Sequence, residues 1–277
     1  MAIASQAPII EEAETLLPGL VNRTLLDRLR SVAPFLVGVA TFVWICIDIN
    51  ISPATFLAGF EKLGDFLGNM FPPSSGGQTP RILNALLETF GMAFAGTFLG
   101  VIFAVPLGII GAKNIVSFGP VHFVIRRVFD FFRGIPALIW ALILVTAFGL
   151  GPFAGVIALA LADIPVLSKL YAEAIENVDR KPIEGLRAAG CGRLDVIRYG
   201  VAPQVTPVIL SQALYYLESN FRNAAILGVV GAGGIGFELE ERIRIFAFDE
   251  VAFIILLFMI AVAFLDTISG HLRGKLA

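Results

Sequence analysis

Long apolar stretches separated by short polar ones set the pattern of this chain. A helix crossing the ~30 Å hydrocarbon core of a bilayer needs about 20 mostly apolar residues. Six stretches meet or approach that length: 33–51, 83–110, 135–150, 153–174, 205–230 and 251–269. The third is short, and the run 121–132 before it is placed to lengthen its helix from the cytoplasmic side. Gly149-Leu-Gly-Pro152 supplies a tight turn between the third and fourth. The expected fold class is all-α: a polytopic membrane protein with about six transmembrane helices.

Composition agrees, with 57% hydrophobic and 15% charged residues where soluble chains average roughly 45–50% and about 25%. The net charge of -2, with no basic run interleaved with aromatics, argues against a nucleic-acid partner. Cys46 and Cys191 offer neither a disulfide framework nor a metal spacing, and read as packing residues. Glu11, Glu12 and Glu14 precede any Arg and Pro18 follows them, so the first span lacks the positive flank of a cleavable signal and is expected to stay.

Cytoplasmic loops carry the excess of Lys and Arg, which orients the chain. Arg23, Arg28 and Arg30 precede the first span; Lys113, Arg126, Arg127 and Arg133 lie between the second and third; Arg180, Lys181, Arg187, Arg193 and Arg198 follow the fourth; Arg273 and Lys275 close the chain. The other side has Lys62, Arg81, Arg242 and Arg244. Both termini and the polar island 182–203 are therefore expected in the cytoplasm. This divides the chain into a cytoplasmic segment 1–30, an extra span 31–51, an extracytoplasmic segment 52–80 and a core 81–277 containing the cytoplasmic segment 180–203. In 52–80, Phe56, Phe60, Leu63, Phe66 and Leu67 suggest an interfacial helix packed on the bundle, followed by a Pro-Pro-Ser-Ser-Gly-Gly linker. The absence of an internal repeat disfavours transporters built from inverted repeats.

In the island, Pro182 suits a first helical turn and Glu184 near that end complements the helix dipole. Leu186, Ala189, Leu194 and Ile197 give an apolar face, Arg187, Arg193 and Arg198 point outward, and Gly190 and Gly192 break the segment into a helix-turn-helix. A short rigid exposed helix of this kind is one that a groove in another protein can grip. An ordinary cytoplasmic loop fits the composition equally well.

Charge inside a bilayer costs at least ~2.5–3.5 kcal/mol per residue at a helix centre. Glu218 and Arg222 share a helix face in the fifth span, with Tyr215, Ser219, Asn220 and Asn223 nearby. Two readings stand: a self-neutralising pair that fixes packing or a dimer seam, and a pathway or gate element made of Tyr215, Glu218, Ser219, Arg222 and Asn223. Asp163, Glu88 and Asp266 are lesser candidates, and His122 and His271 read as solvated. Gly231-Ala-Gly-Gly-Ile-Gly236 satisfies G-x-G-x-x-G but lacks the βαβ context of a dinucleotide site. Gly231, Gly233, Gly234 and Gly236 read instead as non-helical turns at the external mouth. No G-x-x-x-x-G-K-[ST] run is present, and the Gly274-Lys275 pair lacks both the upstream glycine and the hydroxyl residue. The spans hold no paired carboxylates, Ser-His set or HExxH, so no catalytic, cofactor or metal site is expected in this chain.

Glu184, Gly190 six residues on, and Gly200-Val-Ala-Pro203 after nine more resemble the cytoplasmic EAA loop of binding-protein-dependent ABC importer permeases. Three further strings follow in order along the core: Arg133-Gly-Ile-Pro-Ala-Leu-Ile-Trp140, Tyr171-Ala-Glu-Ala-Ile-Glu176, and Ala225-Ile-Leu-Gly-Val-Val-Gly-Ala-Gly-Gly-Ile-Gly236. Together they resemble the phosphonate-type permease family, with the methionine importer permeases more distant. Gly185, Leu186, Gly200 and Ala202 depart from the family's usual residues, which bears on helix packing.

The resemblance implies a type I ABC importer core. Glu184, Arg187, Ala188, Ala189, Gly190, Arg193, Leu194 and Pro203 belong to a coupling segment that docks on a separate ATPase. It implies partners as well: a second permease copy, as a homodimer; two ATP-binding cassette ATPase subunits, which hold the ATP and Mg; an extracytoplasmic binding protein; and the lipid of a bacterial plasma membrane. The cargo implied is phosphonate, phosphate, phosphite or a related oxyanion. The rival reading is a secondary transporter or channel for a small anion that uses Glu218 and Arg222.

Overall fold

The computed structural model describes residues 25–49, 53–115 and 118–276, and among them every regular element is helical. The acidic run and Pro18, read against a cleavable signal, lie with Arg23 outside the described residues. Two compact units divide after Leu67. The first contains α1 (Leu25–Asp48) and nearly all of α2 (Pro53–Gly68).

The second unit is a helical bundle. It comprises α3 (Thr79–Gly111), α4 (Gly119–Arg133), α5 (Ala137–Phe148), α6 (Pro152–Glu176), α7 (Arg180–Ala188), the single turn α8 (Arg193–Asp195), α9 (Ala202–Leu227), α10 (Gly234–Arg244) and α11 (Phe248–Leu276). Wider π-helical turns, Val196–Val201 and Gly228–Ala232, lead into and out of α9.

The bundle is centred on α3 and α6, which run parallel. A Cβ on Gly96 would lie 2.8 Å from Leu159, one on Gly100 3.1 Å from Asp163, and one on Gly108 2.8 Å from Tyr171. In lipid no hydrophobic effect pulls helices together, so close backbone approach over small residues supplies the packing. Ala104, buried with Leu167 and Tyr171, continues the stripe. Phe221, Ala224 and Leu227 of α9 then pack on Met92, Ala93 and Leu159 in the largest buried cluster.

Among the described residues three helices, α3, α6 and α11, are long and apolar enough to cross a membrane on their own. At 1.5 Å per residue the 26 residues of α9 reach ~39 Å, but Gln204, Gln212, Glu218, Asn220, Arg222 and Asn223 lower its apolarity. The expected third span is corrected: α4 does not extend α5 but meets it at 76°. The reason lies in Gly134-Ile-Pro136. A residue before proline is pushed out of the helical region, and Pro136 is itself extended at φ -61, ψ 149. The 12 residues of α5 then cover only ~18 Å.

The turn expected at 149–152 is present, with Gly149 at φ 90 and Gly151 at φ 139, and the Gly151 N–H donates to the Gly231 carbonyl at 3.0 Å. From there α10 runs back along the first part of α3. The Ile235 N–H donates to Thr89 Oγ1 at 2.8 Å near its start, and Arg242 donates to Gln78 Oε1 at 2.7 Å near its end. This helix buries Glu238 and Arg242 and exposes Phe237 and Ile243.

Candidate functional site

The island forms the hairpin of α7 and the π turn before α9. The first turn is capped by Asp179, whose carboxylate accepts the Lys181 N–H at 3.1 Å. Glu184 therefore sits in the second turn, and the expectation that it serves the helix dipole is corrected in favour of Asp179. At the other end the Gly190 N–H donates to Arg187 O and the Cys191 N–H to Leu186 O, each at 3.0 Å. Gly190 at φ 80 is the left-handed residue that such a C-terminal cap requires.

Gln204 ties the hairpin to α9. Its Oε1 accepts the Asp179 N–H at 3.0 Å, and its Nε2 donates to Gly200 O at 2.7 Å. Gly200 is buried under Leu186 and Ile183, whose atoms a Cβ there would approach to 3.1 and 3.3 Å. The glycine that departs from the family pattern is thus the site where α7 crosses the π turn. The predicted apolar face is corrected in part: Val196 is buried, while Leu194 is 81% and Ile197 56% exposed. Ile197 lies in the π turn, whose wider turns shift it off an α-helical register, while Leu194 precedes it in α8.

Glu184, Arg187, Ala188, Ala189, Gly190, Arg193 and Pro203 are all exposed. Among the described residues, Glu184, Arg187 and Arg193 take part in none of the ion pairs. The charges between α4 and α6 behave differently. Glu176 accepts two bonds from Arg126 at 3.0 Å and the Lys113 N–H at 2.6 Å, and Lys169 donates to Asp130 at 2.7 Å. His122, expected to be solvated, is half-buried with Nε2 3.7 Å from Glu176. Glu176 is the hub that holds the bent α4 on α6, a role its place in the sequence string did not reveal. His271 is exposed.

The glycine-rich turn is a close-packed joint. Gly231 at φ 100, Gly233 at φ 85 and Gly234 at φ 68 are left-handed, where a side chain is strained. Added Cβ atoms would collide with Leu150 at Gly231, with Thr89 at Gly234 and with the Ala225 carbonyl at Gly236. Glu88, a lesser candidate, lies over Gly233.

Two polar groups meet on α9. On its buried side Asn220 Nδ2 donates to Asp163 and, at 2.9 Å, to Thr97 Oγ1, linking α9 to α6 and α3. Both Asp163 and Asn220 are buried. On the other side Arg222 donates to Glu218 Oε1 at 2.7 Å, the pair expected from spacing. Arg273 of α11 joins it, donating to Glu218 Oε2 at 3.2 Å. Glu218 is buried, while Tyr215 and Arg222 are exposed and Ser219 and Asn223 half-buried. Asp266 lies 3.9 Å from Arg273. Among the described residues no group of three His, Cys, Asp or Glu side chains is arranged to hold a metal ion.

The family described as binding-protein-dependent transport system inner membrane component matches residues 104–276. The chain is 39% identical over 223 residues to the phosphite transport system permease protein PtxC of Stutzerimonas stutzeri, covering 80% of this chain and 81% of that one. It is 34% identical over 267 residues to the phosphate-import permease protein PhnE of Mycolicibacterium smegmatis, covering 92% of this chain and 50% of that one. Among solved structures, a chain of the inward-facing MetNI methionine ABC transporter superposes with a TM-score of 0.62 at 20% identity, covering 71% of this chain and 96% of that one. This likeness bears on the fold alone.

Proposed function

The chain belongs to the family of binding-protein-dependent transport system inner membrane components, and on that premise we propose that it is the permease subunit of an ATP-driven importer for phosphite, phosphate, phosphonate or a related phosphorus oxyanion. The observation that carries this reading is the contrast in charge at the hairpin. Among the described residues, Glu184, Arg187 and Arg193 stand exposed and outside every ion pair in the same hairpin as exposed Leu194, Ile197 and Tyr199, whereas Arg126 and Asp130 of α4 are paired with Glu176 and Lys169 of α6. Unpaired charge around an exposed apolar patch is what a docking surface offers a partner.

The partner is an ATPase. The chain lacks a phosphate-binding loop, so ATP and Mg²⁺ belong to two cassette subunits, and this chain is their transport partner without an ATP site of its own. Movement of the docked α7 passes to α9 through Gln204 and through Ile183 and Leu186 on Gly200. A binding protein delivers the oxyanion on the other side, near Gly231, Gly233, Gly234 and Gly236. The face of α9 bearing Tyr215, Ser219, Arg222 and Asn223 lines the pathway, with Glu218 behind it. A single core has too few spans to enclose a cavity, so two copies form the working unit. Segment 1–30, the extra span 31–51 and segment 52–80 lie outside this core. Both termini lie on the cytoplasmic side of the bacterial inner membrane.

Glu184→Lys and Gly190→Arg test the reading. Each is expected to leave the protein in the membrane while ATP hydrolysis by the reconstituted complex no longer drives uptake. Full coupled transport in both variants removes the hairpin from the mechanism.

A further inference from the structure

The intramembrane acid Glu218 has two counter-ions where the helical spacing offered one. Arg222 Nη2 donates to Oε1 at 2.7 Å and Arg273 Nη2 to Oε2 at 3.2 Å. The three members differ in exposure: the Glu218 side chain is 9% exposed, Arg273 29% and Arg222 46%. Arg273 is held in place from its own helix, since its Nε donates to Ser269 O at 3.4 Å. Its guanidinium lies 6.0 Å from the Tyr215 ring centroid and 3.9 Å from Asp266 at the exposed edge.

A carboxylate beside the one exposed guanidinium of α9 is a poor neighbour for an anion. If Arg222 left Glu218 for an oxyanion, a buried carboxylate without a second partner would stand uncompensated, and that cost opposes the exchange. A second guanidinium removes the obstacle.

We propose that Arg273 is the standing counter-ion of Glu218, which frees Arg222, with the flanking Tyr215, Ser219 and Asn223, to serve as a transit site for a tetrahedral phosphorus oxyanion. The site rests on the importer reading given above. Arg222 offers a planar fork matched to two oxygens of such an anion. Tyr215 and Ser219, on the same face of α9, add hydroxyl donors, and Asn223 adds an amide. When the anion leaves, Arg222 returns to Glu218 Oε1. Arg273 touches no cargo; it is a positioning residue that acts through Glu218.

The test uses the complete complex with its ATPase subunits and binding protein in liposomes, measuring uptake of labelled phosphate, phosphite or methylphosphonate, whichever the wild type carries. Arg273→Gln is expected to lower uptake about tenfold or more, because Glu218 then depends on Arg222 alone. Glu218→Gln combined with Arg273→Gln is expected to restore uptake to within about threefold of wild type, since no carboxylate is left to hold Arg222. Arg273→Lys keeps the charge and is expected to retain most of the activity. A strut that merely fixes α9 on α11 predicts the reverse, with the double variant as impaired as the single one, and that result overturns the proposal. If Arg273→Gln does not assemble, Glu218→Gln alone decides: uptake maintained supports the assignment, and uptake lost in an assembled complex refutes it. Absence of ATP-driven uptake of all three anions by the wild type overturns the importer reading itself, and the site with it.

Discussion

At the scale of single residues, the glycines separate into two kinds that look alike in the sequence. Gly185 stands exposed in α7 with nothing within 4 Å of an added Cβ, so it contributes only backbone freedom that the helix must lose. Gly185→Ala is expected to raise the stability of this helix by about 0.5–1 kcal/mol, visible as a small rise in the thermal midpoint of the purified protein with transport unchanged. Gly236 is the opposite case. A methyl there collides with the Ala225 carbonyl, and backbone cannot move aside as a flexible side chain can. Gly236→Ala is expected to part α9 from α10 and abolish accumulation of folded protein, scored by the monodisperse fraction after solubilisation.

At the scale of elements, α10 is held by ion pairs as well as by its apolar Ile235 and Leu239. Arg242 reaches Glu238, Glu241 and Glu250, the last at 3.1 Å, and Arg81 of α3 reaches Glu238 at 2.8 Å. These bonds fasten α10 to the starts of α3 and α11 at once. Removing one partner of a buried pair costs about 3–5 kcal/mol, because the other charge is left unpaired. An exposed pair contributes ~0–1 kcal/mol. Arg242→Ala is therefore expected to lower the thermal midpoint strongly, and Arg244→Ala, whose side chain is 76% exposed beside Glu240, hardly at all. Equal effects in the two variants would show that burial does not set the contribution of these pairs. The α4–α5 elbow belongs to the same scale. It was readable in outline, since Gly134-Ile-Pro136 announces a break, but the hydropathy of 121–150 concealed it by treating two helices as one apolar stretch.

At the scale of the whole molecule, the proposed function has the bundle present one end for docking and one side of α9 for passage, with its own helices as the link between them. Transport by such a unit is expected to need both ATP and the binding protein. Vesicles that hold the complex but lack either are expected to show no accumulation even under an imposed ion or proton gradient. Gradient-driven uptake would return the rival reading, a secondary transporter built on Glu218 and Arg222. Asp163 is buried and accepts from Asn220, which also donates to Thr97.

What the sequence by itself determined is what local order encodes. Hydropathy over 20-residue windows located the long helices α3, α6 and α11, because the bilayer demands apolar length from each one separately. Spacing within one helix paired Glu218 with Arg222, because residues four apart share a face. The hairpin 180–203 was legible for the same reason, down to the break at Gly190. Tertiary structure alone decided the partners that lie far apart in the chain: Arg273 on Glu218, Asp163 on Asn220, Arg242 on Gln78 and Gly236 on Ala225. A polar side chain in a bilayer must find a partner, but its own sequence neighbourhood does not say which of several helices will bring one within 3 Å or so. Which surface faces a path, which is sealed, and which arginine is free to release its carboxylate are properties of helices brought together.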